Sequence, residues 1–423
     1  MRVAIPHYAA LSATRSELRS GRNAGHGGTA VADQSAIARA TGVAASKYRV
    51  PFNTPGIHGN ELEHIAQAIR NRHISGDGSF TRKCSAYLED AIGAARVLLT
   101  PSCTHALELA AFLLDIGPGD EVIVPAFTFV STPNAFVLRG ARPVFADIRP
   151  DTLNLDERHL AKVITDKTKA IIPVHYAGVS CAMEPILNRA RVSGATVVED
   201  NAHGLFGAFG GQPLGTFGRM ATLSFHETKN VICGEGGALV INDPDLIERA
   251  EIVREKGTNR SQFFRGEVDR YTWVDAGSSY LPSDILAAFL YGQLEHAHEI
   301  QAARQHVWDR YMEGLSDWAD QQGVALPTVP TGCEPAYHLF YLLMPDLETR
   351  TRFIAHLSEA GIQAVFHYQP LNTSHMGQLF GGKPGDCPVA EHTADCLVRL
   401  PFFNSLTEKQ INLVIERVTA FKV

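Results

Sequence analysis

Lys229 stands in the string Ser224-Phe225-His226-Glu227-Thr228-Lys229-Asn230, just ahead of the glycine run Gly234-Glu235-Gly236-Gly237. Upstream, an acid ends an apolar stretch, Val197-Val198-Glu199-Asp200. A lysine, a serine five residues before it and a carboxylate further back are the three groups that pyridoxal phosphate (PLP) needs from a protein. The amine forms a Schiff base with the aldehyde. The hydroxyl donates to the phosphate. The ionised carboxylate holds the pyridinium proton, so the ring can act as an electron sink.

Most lysines are solvated surface charges, but Lys229 lies among Phe225, Val231, Ile232 and glycines rather than in a polar run. A partly desolvated amine beside a cationic cofactor loses its proton more readily, as a nucleophile must. Asp200 follows a buried-looking strand, where an unpaired carboxylate would be costly, so a cationic partner is implied. His203, three residues on, is placed to touch the face or the phenolic oxygen of the ring, a role that depends on that of Asp200.

Two further strings fit the same ligand. Thr100-Pro101-Ser102-Cys103-Thr104-His105-Ala106-Leu107 joins a strand to a helix, and the free amides and dipole of a helix start hold a phosphate. Alone, such a string is more often an ordinary helix cap. The lysine, serine and acid raise its weight, with Cys103 and Thr104 at the loop. Cys103 reads as a small packed side chain rather than a reactive thiol. Phe127 and Phe129 lie just past a strand end, where one ring could stack on the pyridine; core packing is the commoner role for either.

The elements that would position these residues follow from periodicity. Glu61 to Asn71 has helical spacing, with Leu62, Ile65, Ala68 and Ile69 on one side. Helices at 107–114, 132–138 and 160–164 alternate with strands at 121–125, 143–147, 170–174 and 196–199. Such alternation predicts an α/β fold, a mainly parallel sheet with helices on both faces. Ligands then bind beyond the carboxyl ends of the strands, where Asp200 and the loop after Val124 fall. Ser283-Asp284 caps a helix running through Leu294. After about residue 320 a smaller α+β domain is expected, with strands at 337–343 and 364–366, a helix at 350–360 and a final helix at 408–421. The expected organisation is residues 1–48 as an extension, 49–310 as the large cofactor domain and 311–423 as the small domain.

A chain of 423 residues is too long for one ordinary core. A net charge of −7 gives no general attraction to nucleic acid. No apolar run approaches the roughly 18 residues of a membrane helix. Seven cysteines without a CxxC pair argue against a disulfide framework or a metal site and favour the cytoplasm. Residues 1–48 are Arg- and Ser-rich and poor in acids. They read as a disordered extension or an early start codon in preference to an organellar transit peptide.

Assembled, these residues resemble the nucleotide-sugar aminotransferases, a branch of the fold-type I PLP enzymes, from roughly Pro51 to the C-terminus. The long strings carry the likeness: 98–104, 127–132, Pro173-Val174-His175-Tyr176-Ala177-Gly178, 224–230, 254–266 and Gly277-Ser278-Ser279-Tyr280-Leu281. The resemblance implies that Lys229 is the Schiff-base lysine, Asp200 the pyridinium partner and Ser224 a phosphate ligand. It also implies Cys103 and Thr104 at the phosphate, Phe129 stacked on the ring and His203 against it. A homodimer with shared sites is implied. Ser279 stands where many members carry an Asn that reaches the partner's phosphate, and Leu281 replaces an Arg, so any anion that Arg binds needs another donor. Asn201 replaces a small residue next to Asp200, and Asn372 a common His near the sugar nucleotide. The implied reaction is ping-pong transfer of an amino group from L-glutamate to C4 of a dTDP-4-keto-6-deoxyhexose. The alternatives are amination of another nucleotide ketosugar, deoxygenation, or PLP binding without catalysis. Deoxygenating members typically carry His at the position of Lys229.

Overall fold

Short apolar runs of four or five residues, too short for helices, become the strands of the central sheet in the computed structural model, which describes residues 47–423. The strands are β1 (Arg96–Thr100), β2 (Glu121–Pro125), β3 (Arg142–Ala146), β4 (Thr168–Ile171) and β5 (Thr196–Asp200). A small hairpin, β6 (Ala208–Phe209) and β7 (Gln212–Pro213), precedes β8 (Met220–Ser224) and β9 (Gly237–Ile241). The sheet order is β1-β9-β8-β5-β4-β2-β3. Only β9 runs against its neighbours; the other pairings in this sheet are parallel. The carboxyl ends of β1, β2, β5 and β8 therefore share one edge, and β9 starts there.

Alternate side chains of each strand enter different cores. Leu98 and Leu239 pack with the helix Cys103–Leu113, whereas Val97, Leu99, Ala238 and Val240 pack with the helices Ser79–Ile92 and Asp284–Leu294. Both faces are covered, as expected of an α/β fold. Ser283 caps the last of these helices, accepting from the Leu286 amide. Among the described residues no helix is long and apolar enough to cross a membrane.

Tyr48–Val423 forms one compact unit. Within it the 26-residue helix Ala297–Gln322 links two cores. Ile300 packs with the sheet, while Val307, Tyr311, Leu315 and Trp318 join a second core with Phe340, Phe353, Val398 and Val414. We propose that the two domains meet along this helix, which contains the 310/311 boundary. The second core carries β11 (Tyr341–Leu343) paired with β12 (Leu397–Arg399); β10 (Cys333–Glu334) instead joins the hairpin. Residues 1–46, which hold almost all of the expected extension, lie outside the described residues.

Several elements differ from expectation. The helix Glu61–Arg70 forms, but Leu62 and Ile69 are exposed and Glu61 is buried. Its carboxylate accepts from the His58 and Gly59 amides and from Gln293, so a local polar knot sets which side faces inward. The strand expected over 337–343 is confined to Tyr341–Leu343, because the Ala336 and His338 amides bond the carbonyls of Gly178 and Ala177. The strand at 364–366 reduces to one bridge, Val365 to Arg399.

Candidate active site

Strand ends bring the sequence-predicted residues together. Thr100, Gly237 and Ser224 lie side by side where β1, β9 and β8 pair. Ser102 follows β1 and caps the helix Cys103–Leu113, its hydroxyl accepting from the His105 amide at 3.2 Å. The amides of Cys103 and Thr104 then have no acceptor among the described residues. Thr104 Oγ1 lies 2.8 Å from Ser131 Oγ, which opens the helix after β2. Burial pushes the Cys103 thiol up to about 12, so it is a packed, protonated group.

Asp200 ends β5 and is buried. Its carboxylate accepts from Thr132 Oγ1 at 2.7 Å and from the Ala202 amide at 3.2 Å. Burial nevertheless raises its pKa, as expected of an acid lacking a full cationic partner. Lys229 follows β8, half-buried, and among the described residues its amine makes no hydrogen bond or ion pair. Burial lowers its pKa to about 8, aided by the charges of Arg399 and Arg304 and opposed by Cys103 and Asp200.

Histidines line the same space. His203 stacks on His338 with ring centres 4.1 Å apart and lies 6.3 Å from His367. His338 Nδ1 is 2.9 Å from Asn230 Oδ1, and Asn230 Nδ2 donates to the Ala336 carbonyl. The amide orientation fixed by Ala336 makes His338 Nδ1 the donor. His367 Nδ1 is 2.9 Å from the Tyr176 hydroxyl. Burial holds all three imidazoles well below the usual histidine range. Among the described residues no three ligating side chains could hold a metal.

The remaining expected residues fall in different settings. Phe129 is 56% exposed, its ring 6.3 Å from Tyr368, whereas Phe127 packs inside against Tyr176. Ser224 has no side-chain partner among the described residues, so its hydroxyl is free. Ser279 is exposed, pairs with Glu255 and hydrogen-bonds none of the residues around Lys229. Asn201 turns away from Asp200 and donates to the Leu214 carbonyl. Asn372 is buried and bonds Lys383 O and Glu391. The sequence assigns no role to His338, Thr132 or Arg399, whereas His367 lies in the segment 366–372 expected near the sugar nucleotide. The string 127–132 contained Thr132, whose spacing of four from Thr128 was the available signal.

These residues fit PLP. A half-buried amine free to form a covalent bond lies with a buried carboxylate whose elevated pKa calls for a cation. His203 Nδ1 is buried without a partner. At the Cys103 turn, a Cβ on Gly237 would sit 2.3 Å from the Cys103 nitrogen, so glycine is required for β9 to pass the helix start. PLP would be held by Lys229, Asp200 and the Cys103 turn.

Comparison with known proteins agrees. The chain is 31% identical to the spore coat polysaccharide biosynthesis protein SpsC of Bacillus subtilis, over 87% of this chain and 96% of that protein. It is 32% identical to GDP-perosamine synthase of Caulobacter vibrioides, with the same shares covered. Its fold matches the PLP form of Spr1654 from Streptococcus pneumoniae, described as a sugar aminotransferase, with a TM-score of 0.82 at 27% identity, covering 88% of this chain and 98% of that one. Residues 55–419 match the DegT/DnrJ/EryC1/StrS aminotransferase family, and the chain belongs to it as a PLP-dependent sugar aminotransferase of fold type I.

Proposed function

We propose that the protein moves an amino group from L-glutamate to C4 of a dTDP-4-keto-6-deoxyhexose. The product is a dTDP-4-amino-4,6-dideoxyhexose for surface polysaccharide, the activity of dTDP-4-amino-4,6-dideoxygalactose transaminase. The observation that carries the aminotransferase half is the free Lys229 amine, lowered to about 8, beside buried Asp200. The long strings 254–266 and 277–281 support the substrate half, as does the likeness to a polysaccharide biosynthesis protein.

PLP, when bound, supplies an electron sink for the carbon that carries the amine. Lys229 Nζ would take the proton from the donor carbon and deliver it to the cofactor carbon, and in the second half-reaction would move a proton from the cofactor carbon to the acceptor carbon. Asp200, steadied by Thr132, holds the positive end of the ring. The Cys103 and Thr104 amides and the Ser224 hydroxyl would hold the phosphate, Phe129 and His203 would hold the ring plane, and Ser279 from a second copy of the chain would complete the site. The working form is therefore a homodimer, sedimenting at twice the 46.0 kDa chain mass. The seven free cysteines fit a cytoplasmic enzyme.

Mixing the holoenzyme with L-glutamate and no acceptor should bleach the visible absorption of the cofactor and release 2-oxoglutarate. An unchanged spectrum would sink this reading and leave PLP binding without catalysis. A GDP-linked ketosugar is the second reading, favoured by the likeness to GDP-perosamine synthase. Mass spectrometry and NMR of products from dTDP- and GDP-ketosugars decide the nucleotide and separate amination at C4 from amination at C3.

A further inference from the structure

Two arginines flank the histidine cluster, Arg304 buried and Arg399 half-buried, and they are satisfied very differently. Arg304 donates to the Tyr337 carbonyl at 2.8 Å, to Asn404 Oδ1 at 2.9 Å and to the His338 carbonyl. Its charge is spent on holding the chain. Arg399 donates only to the Phe366 carbonyl, at a long 3.3 Å. Its Nε is buried without a partner, and among the described residues no carboxylate pairs with it. A guanidinium so little compensated is costly unless something else brings an anion.

Its place in the fold is fixed. Arg399 ends β12, opposite Tyr341, and its backbone also pairs with Val365. The guanidinium lies over the Phe52 ring, 4.6 Å from its centre. Asn53, next along, donates to the Glu227 carbonyl in the Lys229 loop. The carbonyl that Arg399 does reach belongs to Phe366, beside His367, which stacks with His203. The cation therefore stands in the wall that faces the reacting end of the site. Burial chiefly lowers the pKa of Lys229 and His203, and the Arg399 charge adds to the same direction.

We propose that the Arg399 guanidinium binds a carboxylate of the amino donor, a role that rests on the aminotransferase reading above. The reacting end of a ketosugar carries only a ketone and hydroxyls. The amino donor brings two carboxylates to the same small space. A planar fork stacked on one ring face keeps its N–H edge for such a group.

The test compares Arg399→Met and Arg399→Lys with the wild type, all as holoenzymes. In the glutamate half-reaction, Arg399→Met should raise the concentration for half-maximal rate by about tenfold or more, as expected for a lost charged hydrogen bond. The reverse half-reaction from a dTDP-4-amino-4,6-dideoxyhexose should change by less than about twofold, since that donor has no carboxylate. Calorimetry with glutarate, which has no amine to transfer, should show binding to the wild type, weaker binding to Arg399→Lys and none to Arg399→Met. Equal loss in both half-reactions, loss confined to the sugar nucleotide, or undiminished glutarate binding overturns the proposal. Should Arg399→Met fail to fold, Arg399→Lys with the same two donors decides. A wild type inert to L-glutamate would instead defeat the proposed function itself.

Discussion

Thr132 Oγ1 donates to Asp200 Oδ2 at 2.7 Å, tying the helix after β2 to the end of β5. Thr128 Oγ1 stands 2.9 Å behind, so two hydroxyls back a single buried carboxylate. This bond opposes the effect of burial on Asp200 and helps keep it ionised. Thr132→Val keeps the shape and removes the donor. Hydrogen bonds to charged groups contribute about 1.5–3 kcal/mol, so PLP affinity should fall about tenfold or more. Fluorescence titration of the apoprotein measures it, and unchanged affinity would show that Thr132 does nothing for the ring nitrogen.

The second prediction concerns pH. Burial lowers the Lys229 amine from 10.5 to about 8. Between these values the folded chain has released a proton that the unfolded chain still holds. Stability therefore rises with pH across that window, and below about 8 the buried charge is a burden. In the apoprotein, Lys229→Met should be the more stable form at low pH, and the wild type should close the gap between pH 8 and 10.5. Urea unfolding of both at several pH values checks this. PLP capture by the wild-type apoprotein should also accelerate with a midpoint near 8; a midpoint near 10.5 would contradict a desolvated amine.

The parallel sheet as far as Asp200 is legible in the sequence, because short apolar runs and turn residues alternate there at regular spacing. Lys229, Asp200 and the Cys103 turn stand out for the same reason: each follows an apolar run, at the edge where α/β sheets bind ligands. Ser279 differs, since its expected role lies across a subunit boundary that one chain does not contain. Arg399 and His338 were hidden. An arginine in Leu397-Val398-Arg399 looks like any solvated strand residue, and only the folded chain shows that it lacks an anion. His338 sits in an apolar run that reads as a strand, and only backbone bonds to Ala177 and Gly178 reveal a loop aimed at the site.

Neighbouring carboxylates at 199 and 200 should separate fold from function. Glu199 accepts the amides of Gly215, Phe217 and Gly218 at 2.7–2.9 Å and lies 2.8 Å from His175 Nε2. His175 Nδ1 accepts from the Cys181 amide, so Nε2 is the donor to Glu199. Glu199→Ala strands four buried donors and should cost about 3–5 kcal/mol, the range for a broken buried polar network. Asp200→Ala strands only two donors, Thr132 Oγ1 and the Ala202 amide, and also removes a carboxylate that burial disfavours, so it should leave denaturant unfolding of the apoprotein far less changed while abolishing tight PLP binding. The reverse pattern would mean that the roles of the two acids are exchanged.

Gly237 gives the sharpest steric prediction. It lies at the start of β9 between Thr100 and Ser224, against the turn that opens the helix Cys103–Leu113. A Cβ there would be 2.3 Å from the Cys103 nitrogen and 2.4 Å from the Ser102 carbonyl carbon. Both are backbone atoms and cannot rotate aside, so Gly237→Ala must push the turn away from β9. Overpacking of this kind costs about 1–3 kcal/mol. The larger effect should fall on the ligand, because the displaced amides are those of Cys103 and Thr104. Pyridoxal lacks the phosphate and so serves as the internal reference. The wild type should prefer PLP strongly over pyridoxal, and Gly237→Ala should lose most of that preference while its pyridoxal affinity changes little. If both affinities fall together, the clash disturbs the whole site and the Cys103 turn is not the phosphate cradle.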